Sequence, residues 1–328
     1  MPNIVLQTEH LTKRYGDTVA VKDLSLAIVE GEVFGFLGPN GAGKSTSIHM
    51  MCGLLRPDAS RVLVHGVPID GGSADVRQRV GMCPQNIVLW ERLTCLEQLV
   101  FVGQMYGLRG PAARLAGERL LTDFDLLDKK HKQARTLSGG MQRRLSLALA
   151  LVHDPDIVVL DEPEAGLDPQ SRIKVREYIR SLAHRKTIIV TTHNMDEADR
   201  VADRVAIIDH GELLVLDTPE ALKRRLGEGD VLEISLPHRA EYQTDQQIAA
   251  SSTELRERLR RALSEVDGVN GVDVAAGTLT VRALGAVNLL GRILSALSGV
   301  GIRAGEVRLR ENSLEDVFIQ LTGRRLRE

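Results

Sequence analysis

Short apolar runs alternate with helical stretches from the N-terminus to about residue 220. The clearest runs hold four or five mostly apolar residues each: Val33–Leu37, Ile157–Leu160, Thr187–Thr191 and Val205–Ile208. Strands with this pattern are buried on both faces, because crossover helices cover both sides of a parallel sheet. The pattern therefore predicts an α/β core built on a parallel sheet.

A helical segment interrupts this core between Gln85 and Thr136. Leucine and valine recur there at helical spacing, and Gly110-Pro111 separates this first helix from a second one. The repeating positions are Leu93, Leu96, Leu99 and Val100, followed by Leu120 and Leu121 in the second helix. We expect a helical subdomain over about residues 86–150.

A charged, glycine-rich break at Gly227–Gly229 divides the chain into two predicted domains, residues 1–226 and 230–328. After the break the pattern alternates between strands and helices. The predicted order is strand Val231–Leu236, helix Ser251–Val266, strands Val269–Ala275 and Thr278–Ala283, helix Val287–Leu297, strand Ile302–Leu309 and a final helix from near Ser313. Without the final helix this is βαββαβ, a small ferredoxin-like α+β domain.

Composition narrows the possible partners. The 328 residues are 43% hydrophobic, 26% charged and only 3% aromatic, with a net charge of −2, so a nucleic-acid partner is not expected. No stretch without Asp, Glu, Lys or Arg exceeds 11 residues, whereas a spanning helix needs about 20 apolar residues. Three cysteines without CxxC spacing predict neither a disulfide framework nor a zinc site. With no signal-peptide pattern either, we expect the protein to stay in the cytoplasm.

A glycine-rich loop follows the Val33–Leu37 run and precedes a helical run, Ser47–Leu55. Its sequence GPNGAGKST satisfies the phosphate-loop pattern G-x-x-x-x-G-K-[ST]. Such a loop turns its N–H groups toward phosphates at a helix N-terminus. Lys44 should neutralise the β- and γ-phosphates, and the hydroxyl of Ser45 should bind Mg²⁺. The binding residues are Gly38, Pro39, Asn40, Gly41, Ala42, Gly43, Lys44, Ser45 and Thr46.

Two carboxylates end the apolar run IVVLDE. Asp161 at the strand end can hold Mg²⁺ through water, as in phosphate-loop NTPases. Glu162 is a second carboxylate, placed where hydrolysis needs a base or a group that orients the attacking water. The chain has no NKxD guanine-reading element, so a GTPase is not favoured.

The segment LSGGM, Leu137–Met141, resembles the signature of ABC ATPases. The resemblance covers roughly residues 4–220 and includes, in order, Tyr15, the phosphate loop, Gln85, LSGGM, VVLDEP, GLDP and TTHNMDEAD. The segment ENSLEDVFIQLTGR, Glu311–Arg324, resembles the end of ATPase subunits of the daunorubicin and drug-resistance exporter group.

The resemblance implies a role for each matching residue. Tyr15 would stack on adenine, and Ser45, Gln85 and Asp161 would govern Mg²⁺. Glu162 would be the base, and His193 would contact the γ-phosphate and hold the attacking water. Ser138, Gly139 and Gly140 would close over the ATP of a second ATPase subunit, and Asp168 would communicate across that dimer. Catalysis is thus expected from Lys44, Gln85, Glu162 and His193.

Some of these residues also have structural interpretations. Tyr15 could be surface packing, Gln85 an ordinary loop amide, and Asp168 a helix cap before Pro169. Three further positions depart from the family pattern: Glu164, Met141 and Ser60. We expect the charge of Glu164 at the dimer edge.

The function implied is an ATP-hydrolysing subunit of a membrane exporter, acting as a homodimer beside a separate polytopic permease at the cytoplasmic face of the cell membrane. Trp90 and Leu93 could line the docking groove for that permease, which requires Trp90 to be exposed. The alternative is a non-transport ABC ATPase in DNA repair or translation, but the chain lacks the charge stripe of a nucleic-acid binder.

Overall fold

The computed structural model describes residues 3–69, 78–225, 230–236, 257–275, 277–283 and 285–323. The chain forms two compact units, one up to Pro219 and one from Glu220 to Arg324. The predicted break at Gly227–Gly229 and the first half of the predicted helix Ser251–Val266 lie outside the described residues. Each unit has its own sheet and core.

A six-stranded sheet forms the centre of the first unit, in the order β10-β9-β3-β8-β7-β6. Strands β6 to β9 pair in parallel with one another or with β3, and β10 is antiparallel to β9. The bounds are β3 Val33–Leu37, β6 Val80–Cys83, β7 Ile157–Asp161, β8 Thr187–Thr192, β9 Arg204–Asp209 and β10 Glu212–Asp217. The apolar runs are confirmed as parallel strands, so the strand ends at Leu37, Asp161 and Thr192 meet along one edge.

A second, antiparallel sheet of the first unit has the order β2-β1-β4-β5. Its strands are β1 Ile4–Tyr15, β2 Thr18–Val29, β4 Ala59–Val64 and β5 Val67–Pro68. Register shifts interrupt the pairing of β1 with β2 at several points, and such bulges bend the strands. Tyr15 is the last residue of β1 and lies at the rim of this sheet.

The helices of the first unit include α1 Lys44–Met51, α2 Cys95–Met105, α3 Gly110–Asp123, α4 Gly139–Leu151, α5 Pro169–Leu182 and α6 Met195–Val201. Helix α7, Pro219–Arg225, begins at the boundary and belongs to the second unit except for its first residue. Two 3₁₀ turns, Leu127–Lys129 and Ala134–Thr136, connect α3 to α4. Gly110-Pro111 occupies the first turn of α3, where proline is tolerated because its missing N–H would have no partner. The expected helical segment is therefore α2 to α4, and α1 begins three residues earlier than expected.

Residues on opposite faces of the central sheet pack into separate cores. Val159 and Ile189 point toward α1 and the antiparallel sheet, whereas Val158 and Ile188 pack with α2 to α5. This alternation follows from the two-residue period of a strand. The three cysteines, Cys52, Cys83 and Cys95, are buried and free.

The second unit holds a four-stranded antiparallel sheet in the order β12-β13-β11-β14. Its strands are β11 Asp230–Ser235, β12 Val269–Ala275, β13 Thr278–Ala283 and β14 Val307–Glu311. Its other helices are α8 (257–264), α9 Ala286–Gly299 and α10 Leu314–Thr322. The ferredoxin-like interpretation stays a prediction, which this strand order supports. Within the described part of the chain, every helix is too short or too polar to cross a bilayer.

Candidate nucleotide-binding and hydrolysis site

The phosphate loop lies between the end of β3 and the start of α1, in the place expected from its sequence. At two positions of the loop there is no room for any side chain larger than that of glycine. A Cβ at Gly38 would lie 2.4 Å from the carbonyl oxygen of Ile208, and one at Gly43 would lie 2.3 Å from that of Ala20. Gly43 also has φ 98°, a conformation open to glycine and strained for other residues.

Lys44 is only 7% exposed and its ammonium group donates to two carbonyl oxygens of the loop, Gly38 at 2.6 Å and Pro39 at 3.0 Å. Burial lowers the pKa of Lys44, while the charges of Glu162 and Asp161 act in the opposite direction. A partly desolvated cation held in a loop of N–H groups is suited to binding a polyphosphate.

Asp161 and Glu162 are both buried at the end of β7. The hydroxyl of Thr191 on β8 donates to the carboxylate of Asp161, and the backbone N–H of Glu162 donates to that hydroxyl at 3.0 Å. Glu162 has φ 46°, in the left-handed region that a non-glycine residue rarely adopts. Backbone strain of this kind is typical of functional sites.

Two of the predicted catalytic residues contact a third one, Glu162. The side-chain amide of Gln85 donates to its Oε2 at 3.0 Å, and Nδ1 of His193 lies 2.8 Å from its Oε1. Gln85 follows β6 and His193 follows β8, so three neighbouring parallel strands supply one cluster. The structure brings Gln85, Glu162 and His193 together without an intervening residue.

Arg143 is a member of this site that sequence reasoning missed. It is 1% exposed and its guanidinium donates only to carbonyl oxygens. The five acceptors are Pro84 at 2.5 Å, Gln85 at 3.1 Å, Asp161 at 2.7 Å, Glu162 at 2.8 Å and Pro163 at 3.1 Å. Arg143 thereby ties the Gln85 loop to the end of β7. The sequence signal for it is its position two residues after LSGGM, in the helix that begins within this segment.

The signature residues lie apart from the Glu162 cluster. Ser138 caps α4 and accepts from the N–H of Met141, while Ser138 and Gly139 are exposed. A Cβ at Gly140 would lie 2.8 Å from Oγ of Ser171, whereas one at Gly139 would meet nothing within 4 Å. Ser138 and Gly139 therefore present an open surface.

Asp168 caps α5, as its structural interpretation predicted. Its carboxylate accepts from the N–H of Ser171 at 3.0 Å and from the hydroxyl of Ser171 at 2.6 Å. These bonds, the hydroxyl first, lower the pKa of Asp168. Since Ser171 also faces Gly140, the cap lies beside the signature.

Tyr15 is 53% exposed, and the ammonium of Lys13 lies 5.9 Å from its ring centroid. An exposed ring of this kind is available for stacking on a planar base.

Glu164, which we expect at the dimer edge, is buried within its own chain, with only 3% of its surface exposed. Its position relative to a second subunit stays a prediction. Glu164 pairs with Arg176, which donates from Nε at 3.1 Å and from Nη2 at 2.6 Å. The partner is 12 residues away on α5, and a bidentate arginine compensates a carboxylate well enough for it to be buried.

The residues assigned to Mg²⁺ fit that ion. Ser45, Gln85 and Asp161 offer a hydroxyl, an amide oxygen and a carboxylate, the hard oxygen ligands that Mg²⁺ prefers. The amide nitrogen of Gln85 is used by Glu162, which leaves its oxygen available. No group of three or more His, Cys, Asp or Glu side chains in the described residues could hold a metal.

A phosphate loop at the end of β3 in a largely parallel sheet, together with two carboxylates at the end of β7, two strands away in the same sheet, defines a nucleoside triphosphatase of the phosphate-loop class. Residues 21–165 match the ABC transporter family. The chain is 36% identical over 327 residues to a daunorubicin resistance ATP-binding protein of Streptomyces coeruleorubidus, covering 99% of this chain and 97% of the relative. It is 38% identical over 329 residues to a Nod factor export ATP-binding protein of Burkholderia lata, covering 100% of each.

Among solved structures, the chain is similar to a dimeric ATP-binding cassette in a post-hydrolysis state bound to ADP and Pi, with a TM-score of 0.60 and 26% identity. That similarity covers 65% of this chain and 98% of the other. The chain belongs to the ABC transporter family as an ATP-binding subunit, and it is an ATPase. The resemblance to the drug-resistance exporter group is thereby confirmed.

Proposed function

We propose that this chain hydrolyses ATP with Mg²⁺ as a head-to-tail homodimer and powers an exporter through a separate membrane-spanning permease. The observation that carries the catalytic part is the carboxylate of Glu162, which contacts both Gln85 and His193. A buried carboxylate held by two neighbours at the end of a strand has one fixed orientation, which a general base requires.

Each residue of the cluster has a task in hydrolysis. Lys44 neutralises the β- and γ-phosphates, for which it exchanges its bonds to the loop carbonyls. Glu162 accepts the proton of the attacking water. His193, held at Nδ1 by Glu162, uses its other ring nitrogen at the γ-phosphate. Tyr15 stacks on the adenine.

Ser45, Gln85 and Asp161 would hold Mg²⁺, which when bound neutralises charge on the β- and γ-phosphate oxygens. The strand ends place Asp161 beside Glu162, so the ligand and the base are adjacent but separate carboxylates. Thr191 donates to Asp161 and so fixes its orientation.

The exposed Ser138 and Gly139 explain why two copies are needed. In one chain the signature presents an open surface, while Gln85, Glu162 and His193 form a different cluster. In a head-to-tail pair the signature of each copy closes over the ATP of the other, with Asp168 beside it. ATP binding then closes the dimer, and hydrolysis reopens it.

An exposed apolar patch next to Gln85 is the proposed permease contact. Trp90 is 45% exposed and packs edge-to-face on Phe101, with ring centroids 5.3 Å apart. Val88 and Met105 are each 68% exposed, and Leu93 is half-buried. The patch belongs to the loop that carries Gln85 and to α2, so its movement would reach Glu162. We place the chain at the cytoplasmic face of the membrane through this contact.

The cargo is chosen by the permease in this proposal. Relatives named for daunorubicin resistance and for Nod factor export are almost equally identical to this chain. ATP-binding subunits named for two such different compounds are similar to one chain, so this subunit does not select the cargo.

The test is a pull-down from detergent-solubilised host membranes with the Glu162→Gln chain and Mg·ATP. We expect a membrane protein with several spanning helices to be retained. A Trp90→Glu, Glu162→Gln chain should lose that protein while still binding ATP. Ribosomal or DNA-repair proteins in place of a membrane protein would support the non-transport alternative and overturn the exporter.

A further inference from the structure

The segment from Glu162 to Asp168 joins the catalytic carboxylate to the residue beside the signature. It is folded tightly on itself. The N–H of Ala165 donates to the carbonyl of Glu162 at 3.1 Å, and the N–H of Leu167 donates to that of Glu164 at 3.3 Å. Any shift of its middle would therefore reach both ends.

Glu164 is the buried charge in the middle of this segment. Its two carboxylate oxygens both accept from Arg176 on α5, the helix that Asp168 caps. Arg172, one turn earlier on the same helix, donates to the carbonyl of Leu167 at 2.9 Å. Helix α5 thus holds the segment at two points through two arginines.

Helix α5 also packs against α6, the helix that follows the loop carrying His193, and Arg180 on α5 donates to the carbonyl of Arg200 on α6. Glu197 on α6 accepts from the hydroxyl of Thr192 at 3.1 Å and from the amide of Asn194 at 3.3 Å, the two neighbours of His193. Burial raises the pKa of Glu197, the charge of Glu164 adds to this, and Arg172 and Arg176 oppose it. Glu164 is buried and Arg172, Arg176 and Glu197 are half-buried, so the four side chains form one partly desolvated charge cluster between the two catalytic segments.

We propose that Glu164 is a positioning residue for hydrolysis: by pairing with Arg176 it fixes Glu162 relative to His193 through the cluster of Glu164, Arg172, Arg176 and Glu197. The inference rests on the proposed roles of Glu162 and His193. Without the charge of Glu164, Arg172 and Arg176 attract the carboxylate of Glu197 more strongly. That attraction weakens the hydrogen bonds that Glu197 accepts from Thr192 and Asn194. Glu164 itself touches no substrate in this scheme.

The experiment measures steady-state ATP hydrolysis by the full chain. Glu164→Gln should lower kcat about tenfold and leave KM for ATP within about twofold, because a misplaced base affects the chemical step and leaves the phosphate loop intact. The matched control is Glu32→Gln, a buried carboxylate paired with Arg204 at 3.3 Å just before β3, at the opposite end of that strand from the phosphate loop. It should lower thermal stability without changing kcat.

The double variant Glu164→Gln, Arg176→Gln leaves no unpaired buried charge at this pair, so it should recover thermal stability. We expect its kcat to stay low, which a merely structural role would not produce. Wild-type kcat in the double variant, or a fall in KM and stability with kcat unchanged in Glu164→Gln, would overturn the proposal.

A combination with Glu162→Gln separates this inference from the proposed function. If Glu164 acts through Glu162, adding Glu164→Gln to Glu162→Gln should lower the residual turnover no further, since the two effects share one step. Independent, multiplying effects would overturn the inference and leave Glu162 as the base. Near-normal turnover of Glu162→Gln alone would overturn the proposed catalytic role itself.

Discussion

Arg143 and Glu162 are joined by a hydrogen bond of 2.8 Å from the guanidinium Nη2 to the backbone carbonyl oxygen. Arg143 lies in α4, the helix that begins within the signature, and Glu162, the proposed base, directly follows strand β7. The contact therefore connects the helix that carries the proposed dimer surface to the proposed site of hydrolysis in the same chain.

Arg143→Lys should lower both stability and turnover. Lysine keeps the charge but cannot reach five carbonyl oxygens, and a buried acceptor without a partner costs about 1–3 kcal/mol. Thermal unfolding followed by fluorescence of Trp90, the only tryptophan, measures the first effect. The control is Arg144→Lys, since Arg144 is also buried but donates to Phe124 and Asp125, away from Glu162. A similar loss of turnover in both variants would contradict a special role for Arg143.

Glu162→Gln should lower ATP turnover by roughly 10² to 10⁴-fold, the usual contribution of a general base. Glutamine can still bond to Gln85 and His193, so the fold and ATP binding should be retained. Turnover and ATP affinity of the purified chain are the two measurements. A variant that hydrolyses ATP at a near-normal rate would assign the base to another residue.

Lys44→Ala should abolish tight ATP binding, because its buried ammonium is the cation that we propose neutralises the phosphates. The loop itself should remain folded, since Gly38 and Gly43 are untouched. Equilibrium binding of a fluorescent ATP analogue measures this loss. Wild-type affinity would show that the phosphates bind elsewhere.

Gly139→Ala and Gly140→Ala form a matched pair that detects the second subunit. An alanine at 139 meets nothing within this chain and should stabilise α4 slightly. Loss of ATP-dependent dimerisation by Gly139→Ala, measured by light scattering in the Glu162→Gln background, would thus report a clash with the partner. Alanine at 140 displaces the hydroxyl of Ser171 and weakens the Asp168 cap inside one chain, so it should also lower the stability of the monomer. Normal dimerisation of Gly139→Ala would contradict the head-to-tail arrangement.

Asp316 should make the second unit sensitive to acid. Burial opposes its ionisation, but hydrogen bonds from Arg310 and Ser313 outweigh burial and hold its pKa well below its usual range. A lowered folded-state pKa contributes stability that is present above the unfolded value, about 3.9, and is lost as pH falls toward the folded value.

Hydrogen exchange of the amides in β11 and β13 measures this effect. At neutral pH, Asp316→Asn should lower the free energy of opening that protects these amides by about 3 kcal/mol. A loss of this size is typical when a hydrogen-bonded buried charge is removed. The difference from wild type should shrink as pH falls below about 4. A difference independent of pH would exclude the carboxylate as its cause.

The sequence predicted the elements whose signal is local. The run Val33–Leu37 matches β3 at both ends, because a strand buried on both faces is apolar throughout. The phosphate loop and the carboxylates Asp161 and Glu162 were found because their chemistry needs fixed spacing. The start of α1 at Lys44 was missed, since glycine and serine in the loop hide a helix N-terminus.

Other features depend on contacts between distant residues and could not be predicted in that way. The bonds of Arg143 to Pro84 and Gln85 join residues almost 60 positions apart. The ion pair of Glu164 with Arg176 joins residues on different elements, 12 positions apart, and no local pattern indicates it. A single sequence gives the residue types of such pairs but not the packing that makes them neighbours.

The buried cysteines have a practical consequence for spectroscopy. Burial raises the pKa of Cys52 to about 12 and also raises those of Cys83 and Cys95, so their reactive thiolates are scarce at neutral pH. A maleimide spin label should therefore attach to a cysteine introduced at exposed Leu115 and leave the native three unmodified. Pulsed electron paramagnetic resonance could then measure the distance between the labels of two chains as ATP is added. The native cysteines would not have to be replaced for this experiment.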